Sequence, residues 1–265
     1  MIPKIIHYCW LSDDPIPEEY MEYINGWKQI MPDFTIKKWD RKAINLDEHP
    51  FAKQAFEAKK YAFAADYIRA YALYTEGGIY LDSDVKVIKP LDKFLDVSYF
   101  TSVECTISKT NYKLLINRYI DKEGNRIPGM NCFFIGLQAA IVGSEAGGNL
   151  IKDIYEFYKQ QQYIQPDNTY FHQIAPSVHA LYAEKYGFRY KDCYQELKEN
   201  IKIYPSSIFA TRNMNISDET CAIHYCGGSW TKKSSGIKGF LKKIKPIMNL
   251  HLKWKIISKN NDFNI

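Results

Sequence analysis

The sequence predicts an α/β fold on an open sheet, and three observations support this. Ile2 to Trp10 is an apolar run opened by Pro3, with the near-continuous hydrophobicity of a strand buried on both faces. A helical segment and a second short strand follow it, in a β-α-β rhythm that points to a nucleotide-binding half. Later, a helical stretch stops at Gly77-Gly78 and gives way to the short apolar run Ile79-Tyr80-Leu81, which ends on two acids, Asp82 and Asp84.

The elements follow in order. Leu11 to Pro17 is rich in turn residues and forms a loop at the first strand's carboxyl end, the edge where open α/β sheets bind ligands. Glu18 to Ile30 is predicted as a helix closed by Met31-Pro32-Asp33, and Thr35 to Trp39 as the second strand. Phe51 to Thr75 reads as one helical stretch with Tyr61, Ala65, Ile68 and Ala72 along a stripe, ended by the glycines in a left-handed cap. Ile79 to Leu81 is a central strand that Val85-Lys86-Val87-Ile88 continues beyond the acids. Phe133 to Val142 is predicted as a strand, Asn149 to Gln162 as a helix, and Ile201 to Pro205 and Ala222 to Tyr225 as late strands.

Chemistry concentrates between Ala65 and Asp84. Asp82 and Asp84, two apart at the end of an apolar strand, send their side chains to one face and can converge on a hard cation. A solvated turn is the usual meaning of a bare Asp-x-Asp. Here, like charges crowded at a sheet edge are costly unless a cation joins them. Asp66 and Arg69, at i and i+3, share a face of the preceding helix and add an acid and a base for a polar ligand. Mn²⁺ or Mg²⁺ held by one or two carboxylates completes its shell with phosphate oxygens and water, which suits a nucleotide-sugar. His224 is the candidate third ligand and its imidazole favours Mn²⁺; a satisfied structural histidine is the alternative. After it come Gly227-Gly228, which permit close backbone approach to a phosphate, Ser229, which can donate to it, and Trp230, which can cover it.

Composition excludes several classes. Hydrophobic content of 46% and aromatic content of 15% rule out a disordered chain. The 21 tyrosines and five tryptophans suit sugar-handling surfaces, although an aromatic core accounts for most of them. The sequence has no 18-residue uncharged apolar run, and no signal-peptide pattern precedes Ile2, so the cytoplasm is expected. Six cysteines lie scattered without metal spacing and are expected to be reduced; Cys221 and Cys226 flank His224 in no zinc-module pattern. Nine lysines against Asp262 leave residues 231 to 265 at +8, and the chain's +5 then puts residues 1 to 230 at −3. The basic balance belongs to the tail, which argues against a nucleic-acid-binding body.

Taken together these residues resemble glycosyltransferase family 32, which includes capsular polysaccharide synthesis transferases and yeast initiating mannosyltransferases. They are more distantly similar to the glucosylating domains of large clostridial toxins. The blocks that carry the resemblance are Ile2 to Trp10, Trp27…Pro32-Asp33…Trp39-Asp40, Lys60 to Val87, Ile201 to Pro205, and His224…Gly228-Ser229-Trp230. It implies a GT-A type fold, a Rossmann-like mixed sheet flanked by helices, as a catalytic domain over 1–231 with a basic helical tail over 232–265. It also implies a divalent cation, a nucleotide-sugar donor, UDP-linked by preference, and retention at the anomeric carbon. By position, Tyr8, Cys9 and Trp10 would line the base pocket, and Asp66 and Arg69 would grip the donor sugar and diphosphate. Asp82 would lie near ribose and sugar, Asp84 would bind metal directly, and His224, Ser229 and Trp230 would close over the diphosphate. Gly136 to Gly143 looks like the acceptor-side strand, with Asn in many members at the position of Gln138 or Ala139. No base or nucleophile is assigned there; Glu145 and Asp167 are read as surface residues.

This gives a glycosyltransferase reading in surface or capsular polysaccharide assembly, with a glycan or lipid-linked glycan acceptor. Two rivals are weighed against it. Haloacid-dehalogenase-like phosphatases also place Asp-x-Asp after a strand, but need Thr or Val two residues later, where this chain has Lys86. A Ca²⁺-dependent carbohydrate-binding module would leave Asp66, Arg69 and the glycine-serine-tryptophan closure without a purpose.

In the tail, Ile237, Phe240, Leu241, Ile244, Ile247 and Met248 fall on one helical side, with Lys238, Lys242, Lys243 and Lys245 opposite and a kink at Pro246. Residues 237–257 are expected to contact either the protein's own body or anionic lipid at the inner face of the cell membrane. For the lipid contact, the full chain is expected to sediment with anionic liposomes and the 1–230 chain to remain in the supernatant; equal sedimentation excludes it.

Overall fold

In the computed structural model, the described residues are 1–105, 116–130, 132, 134–212 and 214–227. The expected boundary between 231 and 232, and the basic tail, lie outside them. Residues Met1–Gly227 pack as one compact unit.

The first half follows the β-α-β expectation: β1 is Ile5–Cys9, α1 Glu18–Ile30 and β2 Thr35–Trp39, with β1 and β2 parallel. Next come α2 (Pro50–Glu57), α3 (Tyr61–Glu76), β3 (Gly78–Leu81) and β4 (Val85–Val87). The single helix expected over 51–75 is therefore two. Lys59 takes a positive φ of 57° and the chain folds back, so that the rings of Phe51 and Tyr67 lie 6.4 Å apart. A continuous helix would hold those residues roughly 24 Å apart. Burial of α2 against α3 outweighs the unbroken helical pattern.

At Gly77 and Gly78 the helix stops, but not in the left-handed cap expected of them. Gly77 has φ 67° with ψ −173°, and Gly78 has φ 110°. A Cβ on Gly78 would sit 2.6 Å from the carbonyl oxygen of Ile5. Glycine is needed because β3 enters directly alongside β1. His7 fixes the junction: its Nε2 lies 2.7 Å from the carbonyl of Gly77, and its Nδ1 accepts the indole N–H of Trp39 at 3.0 Å. Burial holds its imidazole below the ordinary range, so the ring is neutral, with its proton on Nε2.

The remaining elements are β5 (Tyr99–Cys105), β6 (Ile135–Leu137), β7 (Ile141–Ser144), α4 (Asn149–Gln160), α5 (Ala175–Ala183), β8 (Gln195–Leu197), β9 (Ile201–Tyr204), β10 (Phe209–Thr211) and β11 (Ala222–His224). The main sheet has the order β2-β1-β3-β7-β5-β9-β8, with β6 on β5; β10-β11-β4 form a second, three-stranded sheet. β7 and β8 run against their neighbours, so the sheet is mixed. Helices α2 to α5 contribute to the apolar core of one face, while α1 and the 91–97 segment contribute to that of the other. This is the mixed, helix-flanked α/β architecture expected from the sequence.

Two strands depart from expectation. Of the strand expected over 133–142, the described residues 134–142 do not form one strand. Gln138 folds a turn by accepting the N–H of Ala140 on its side-chain oxygen at 3.1 Å, and the hydroxyl of Thr101 donates to the carbonyls of Gln138 and Ile141. The run after the acids is also no continuation of β3. The N–H of Val85 bonds the carbonyl of Asp82 at 3.0 Å, closing a turn that sends β4 into the second sheet. Among the described residues no helix is long and apolar enough to cross a membrane.

Two glycines test the packing. Gly143 sits against Phe100, whose ring a Cβ would approach to 2.0 Å, whereas Gly26, inside α1, has open space around it. Gly143→Ala is expected to cost about 1–3 kcal/mol and lower Tm by roughly 2–4 °C per kcal/mol. Gly26→Ala is expected to raise stability by about 0.5–1 kcal/mol. Calorimetry showing both shifts with the same sign would contradict this packing.

Candidate active site

The parallel strands β1 and β3 end at one edge of the sheet, and Asp82 to Asp84 form the turn that leaves it. These acids do not share a strand face, as their spacing suggested; the turn and the second sheet bring them together. β4 pairs with β11 so that Val85 faces His224. His224 Nε2 is then 3.4 Å from Asp84 Oδ1 and 3.9 Å from Asp82 Oδ2. One potential ligand atom from each of Asp82, Asp84 and His224 lies within 4.8 Å of the others. Two hard carboxylates and one imidazole form a donor set suited to Mn²⁺, and the residues present fit such an ion.

Asp84 is the more tightly held acid. Its Oδ2 accepts the N–H of Gly227 at 2.7 Å, and its carbonyl accepts the N–H of Tyr225 at 3.0 Å. Burial opposes ionisation, but His224 and Gly227 outweigh it and keep the carboxyl below its ordinary range. Burial likewise opposes charge on His224, and Asp84 and Cys226 override it, holding the imidazole well above its ordinary value. Cys226 Sγ lies 3.4 Å from His224 Nδ1, which turns Nε2 toward the acids, as a second contact to a ligating imidazole does. Gly227 has no room for a side chain, since its Cβ would fall 1.8 Å from the hydroxyl of Tyr20. Tyr20, on α1, is a contributor that the sequence reading missed; only its place on the buried side of an amphipathic helix marked it.

Arg69 is buried and bridges two carboxylates, with NH1 2.7 Å from Asp66 Oδ1 and NH2 3.1 Å from Asp82 Oδ1. The guanidinium also stacks 4.6 Å over the ring of Tyr80. A rigid fork can serve both acids at once, which a lysine cannot. Burial works against its charge, while Asp82 and Asp66 hold it above the ordinary value. Asp66 is pushed up to about 6 by burial, with Arg69 opposing and Asp82 adding to the rise. Because these guanidinium nitrogens are committed to Asp66 and Asp82, Arg69 orders the two acids in this structure.

At the end of β1 the three expected base-pocket residues separate. Tyr8 is buried, edge-on to Trp27 at 5.8 Å. Cys9 is half-buried beside the acids; burial, then Asp82, push its thiol up, so it stays protonated. Trp10 is half-buried and its indole N–H donates to the carbonyl of Asp14 at 2.8 Å. Cys9 therefore lies close to Asp82, while the ring of Tyr8 belongs to the core. Ser229 and Trp230 lie outside the described residues. Glu145, which forms an ion pair with the chain's amino terminus, and Asp167 are at the surface as expected.

Similar sequences place this chain in a family. The family described as glycosyltransferase sugar-binding region containing DXD motif matches residues 17–101, the stretch from α1 to β5 that includes both acids. An uncharacterised glycosyltransferase, L373, of Acanthamoeba polyphaga mimivirus is 31% identical over 193 residues, covering 64% of this chain and 75% of that protein. Inositol phosphoceramide mannosyltransferase 3 of Schizosaccharomyces pombe is 32% identical over 98 residues, but the match spans only 27% of its length. The galactosyltransferase LgtC, at 14% identity and a TM-score of 0.40 over 84% of this chain and 87% of its own, adds nothing to the sheet order described above. The chain belongs to the glycosyltransferases whose sugar-binding region carries a DXD motif, with Asp82 and Asp84 as its two acids.

Proposed function

We propose that this protein is a metal-dependent, retaining transferase that moves a sugar from a nucleoside diphosphate, UDP by preference, to a glycan or lipid-linked glycan. Its place is the cytoplasm, at the inner face of the cell membrane, in surface or capsular polysaccharide assembly. The observation that carries the reading is the convergence of Asp82, Asp84 and His224 within 4.8 Å, next to an Asp66–Arg69–Asp82 bridge. Mn²⁺, or Mg²⁺, held by those three side chains would supply Lewis-acid stabilisation of the departing diphosphate.

The chain's own groups do the positioning. Asp66, fixed by Arg69, accepts hydrogen bonds from donor-sugar hydroxyls, and Asp82 lies between sugar and ribose. Cys9 and Trp10 border the base, with Tyr8 supporting them from the core. As the bond from the anomeric carbon to the diphosphate breaks, the bond to the acceptor oxygen forms on the same face, and the acceptor's proton leaves with the diphosphate. The phosphatase and lectin alternatives are set aside by the family to which the chain belongs. The fungal relatives' names favour mannose as a second reading of the donor sugar.

A panel of UDP- and GDP-sugars with Mn²⁺ tests the reading through release of nucleoside diphosphate. One donor is expected to be turned over in preference to the rest, and Asp84→Ala is expected to lower that rate by about 100-fold or more. Turnover that survives Asp84→Ala, or a panel in which no sugar nucleotide is hydrolysed or raises Tm, contradicts it.

A further inference from the structure

A third carboxylate reaches the same sheet edge. β5 is antiparallel to β7, and β7 is antiparallel to β3. β5 therefore runs parallel to β3, and its carboxyl end, with Glu104, arrives at the edge that carries Asp82. The turn between β6 and β7 spans the gap: the carbonyl of Ala140 accepts the N–H of Asp82 at 2.9 Å, and the carbonyl of Ser102 accepts that of Gln138 at 2.8 Å.

Strand alternation settles which way Glu104 points. Phe100, Ser102 and Glu104 lie on one face of β5. Phe100 packs on Phe209 with ring centres 5.8 Å apart, and the hydroxyl of Ser102 is 3.4 Å from the carbonyl of Phe209. This face therefore meets β10, and β10 pairs in parallel with β11 so that Thr211 faces His224. Continued by one pair of residues, it brings Glu104 toward the end of the second sheet where His224 stands. The charges that act on Glu104 agree: His224 first, then Asp82 and Arg69.

Glu104 is half-buried and its side chain makes no hydrogen bond or ion pair to any described residue. A carboxylate withdrawn from water is ordinarily paired, and the donor-side acids here are: Arg69 holds Asp66 and Asp82, and His224 holds Asp84. Opposite Ser102, Gln138 is 1% exposed, and its Nε2 is buried with no partner among the described residues. A half-buried carboxylate without a protein partner among the described residues and a buried unsatisfied amide thus flank the strand ends on the side away from β1, where the proposed function puts the donor's base.

Resting on the glycosyltransferase reading, we propose that Glu104 is the acceptor-side residue: its carboxylate takes a hydrogen bond from the sugar acceptor's attacking hydroxyl and sets that oxygen beside the anomeric carbon. Carboxylate oxygens accept from two hydroxyls at once, so Glu104 selects among the hydroxyls of a pyranose ring. It exchanges no proton in the step, which leaves with the diphosphate, and it is unchanged at the end.

The test uses the full chain, Mn²⁺ and the nucleotide-sugar that the wild-type protein hydrolyses fastest, with octyl glucoside, octyl galactoside and octyl mannoside competing against water. The readout is the ratio of octyl disaccharide to free sugar. Both products come from one donor complex, so a misfolded fraction does not change the ratio. Glu104→Ala is expected to lower the ratio at least ten-fold and Glu104→Gln by less, with donor KM within two-fold of wild type. An unchanged ratio in both variants, or a rise in donor KM matching any fall in the ratio, overturns the proposal. If the wild-type protein consumes no nucleotide-sugar, the glycosyltransferase reading itself has failed and takes this role with it.

Discussion

Two aspartates two residues apart, Asp82 half-buried and Asp84 buried, repel each other, and the site is built around that repulsion. Arg69 answers it on one side by a 3.1 Å bond to Asp82, and His224 answers it on the other at 3.4 Å from Asp84. Like charges this close raise each other's cost of ionisation unless cations share the site. The arginine comes from α3, the acids from the turn after β3 and the imidazole from β11, so three separate parts of the chain must dock before the charge balances. The β4–β11 pairing matters most, because its register alone decides that His224 stands opposite Val85.

The same arrangement divides the sheet edge by task. In the proposed function, Cys9 and Trp10, at the end of β1, border the nucleotide, and Asp66, Asp82 and Asp84 take the sugar and the ion. Glu104, two strands beyond β3, is the residue proposed for the second substrate. Tyr20 and Trp27 tie α1 to this edge from behind: the Tyr20 hydroxyl lies against Gly227, and the indole N–H of Trp27 donates to the carbonyl of Val85 at 2.9 Å. The helix nearest the chain's start thereby holds the segment nearest the end of the described residues.

Periodicity disclosed the elements whose burial is one-sided or uniform. β1, α1, β2 and β9 fall where the residues alone put them, to within three residues at the ends, because propensity and burial agree there. The single helix over 51–75 failed because the contacts that break it, Phe51 and His49 on Tyr67, are tertiary and leave no local mark beyond Lys59-Lys60. β5 went unread since Tyr-Phe-Thr-Ser-Val-Glu-Cys neither alternates nor stays apolar; its polar residues are used inward, with Thr101 and Ser102 buried and bonded to carbonyls. α5 was missed too, opening as it does on Ala-Pro-Ser. Asp82, Asp84 and His224 were legible as a group, but the two acids are expected on a shared strand face, whereas the structure brings all three together by a turn and a second sheet. Glu104 carried no local signal, since its significance depends on which strand lies two places from β3.

The central claim is that the three converging side chains bind a divalent cation in place of the proton on His224. Calorimetric titration of Mn²⁺ at neutral pH, in buffers of different ionisation enthalpy, tests it most directly. With the imidazole held well above its ordinary value by Asp84, one bound Mn²⁺ is predicted to release close to one proton, and the affinity to rise about ten-fold per pH unit near neutrality. Binding that releases no proton, or that survives replacement of His224 by alanine at full strength, would contradict the account.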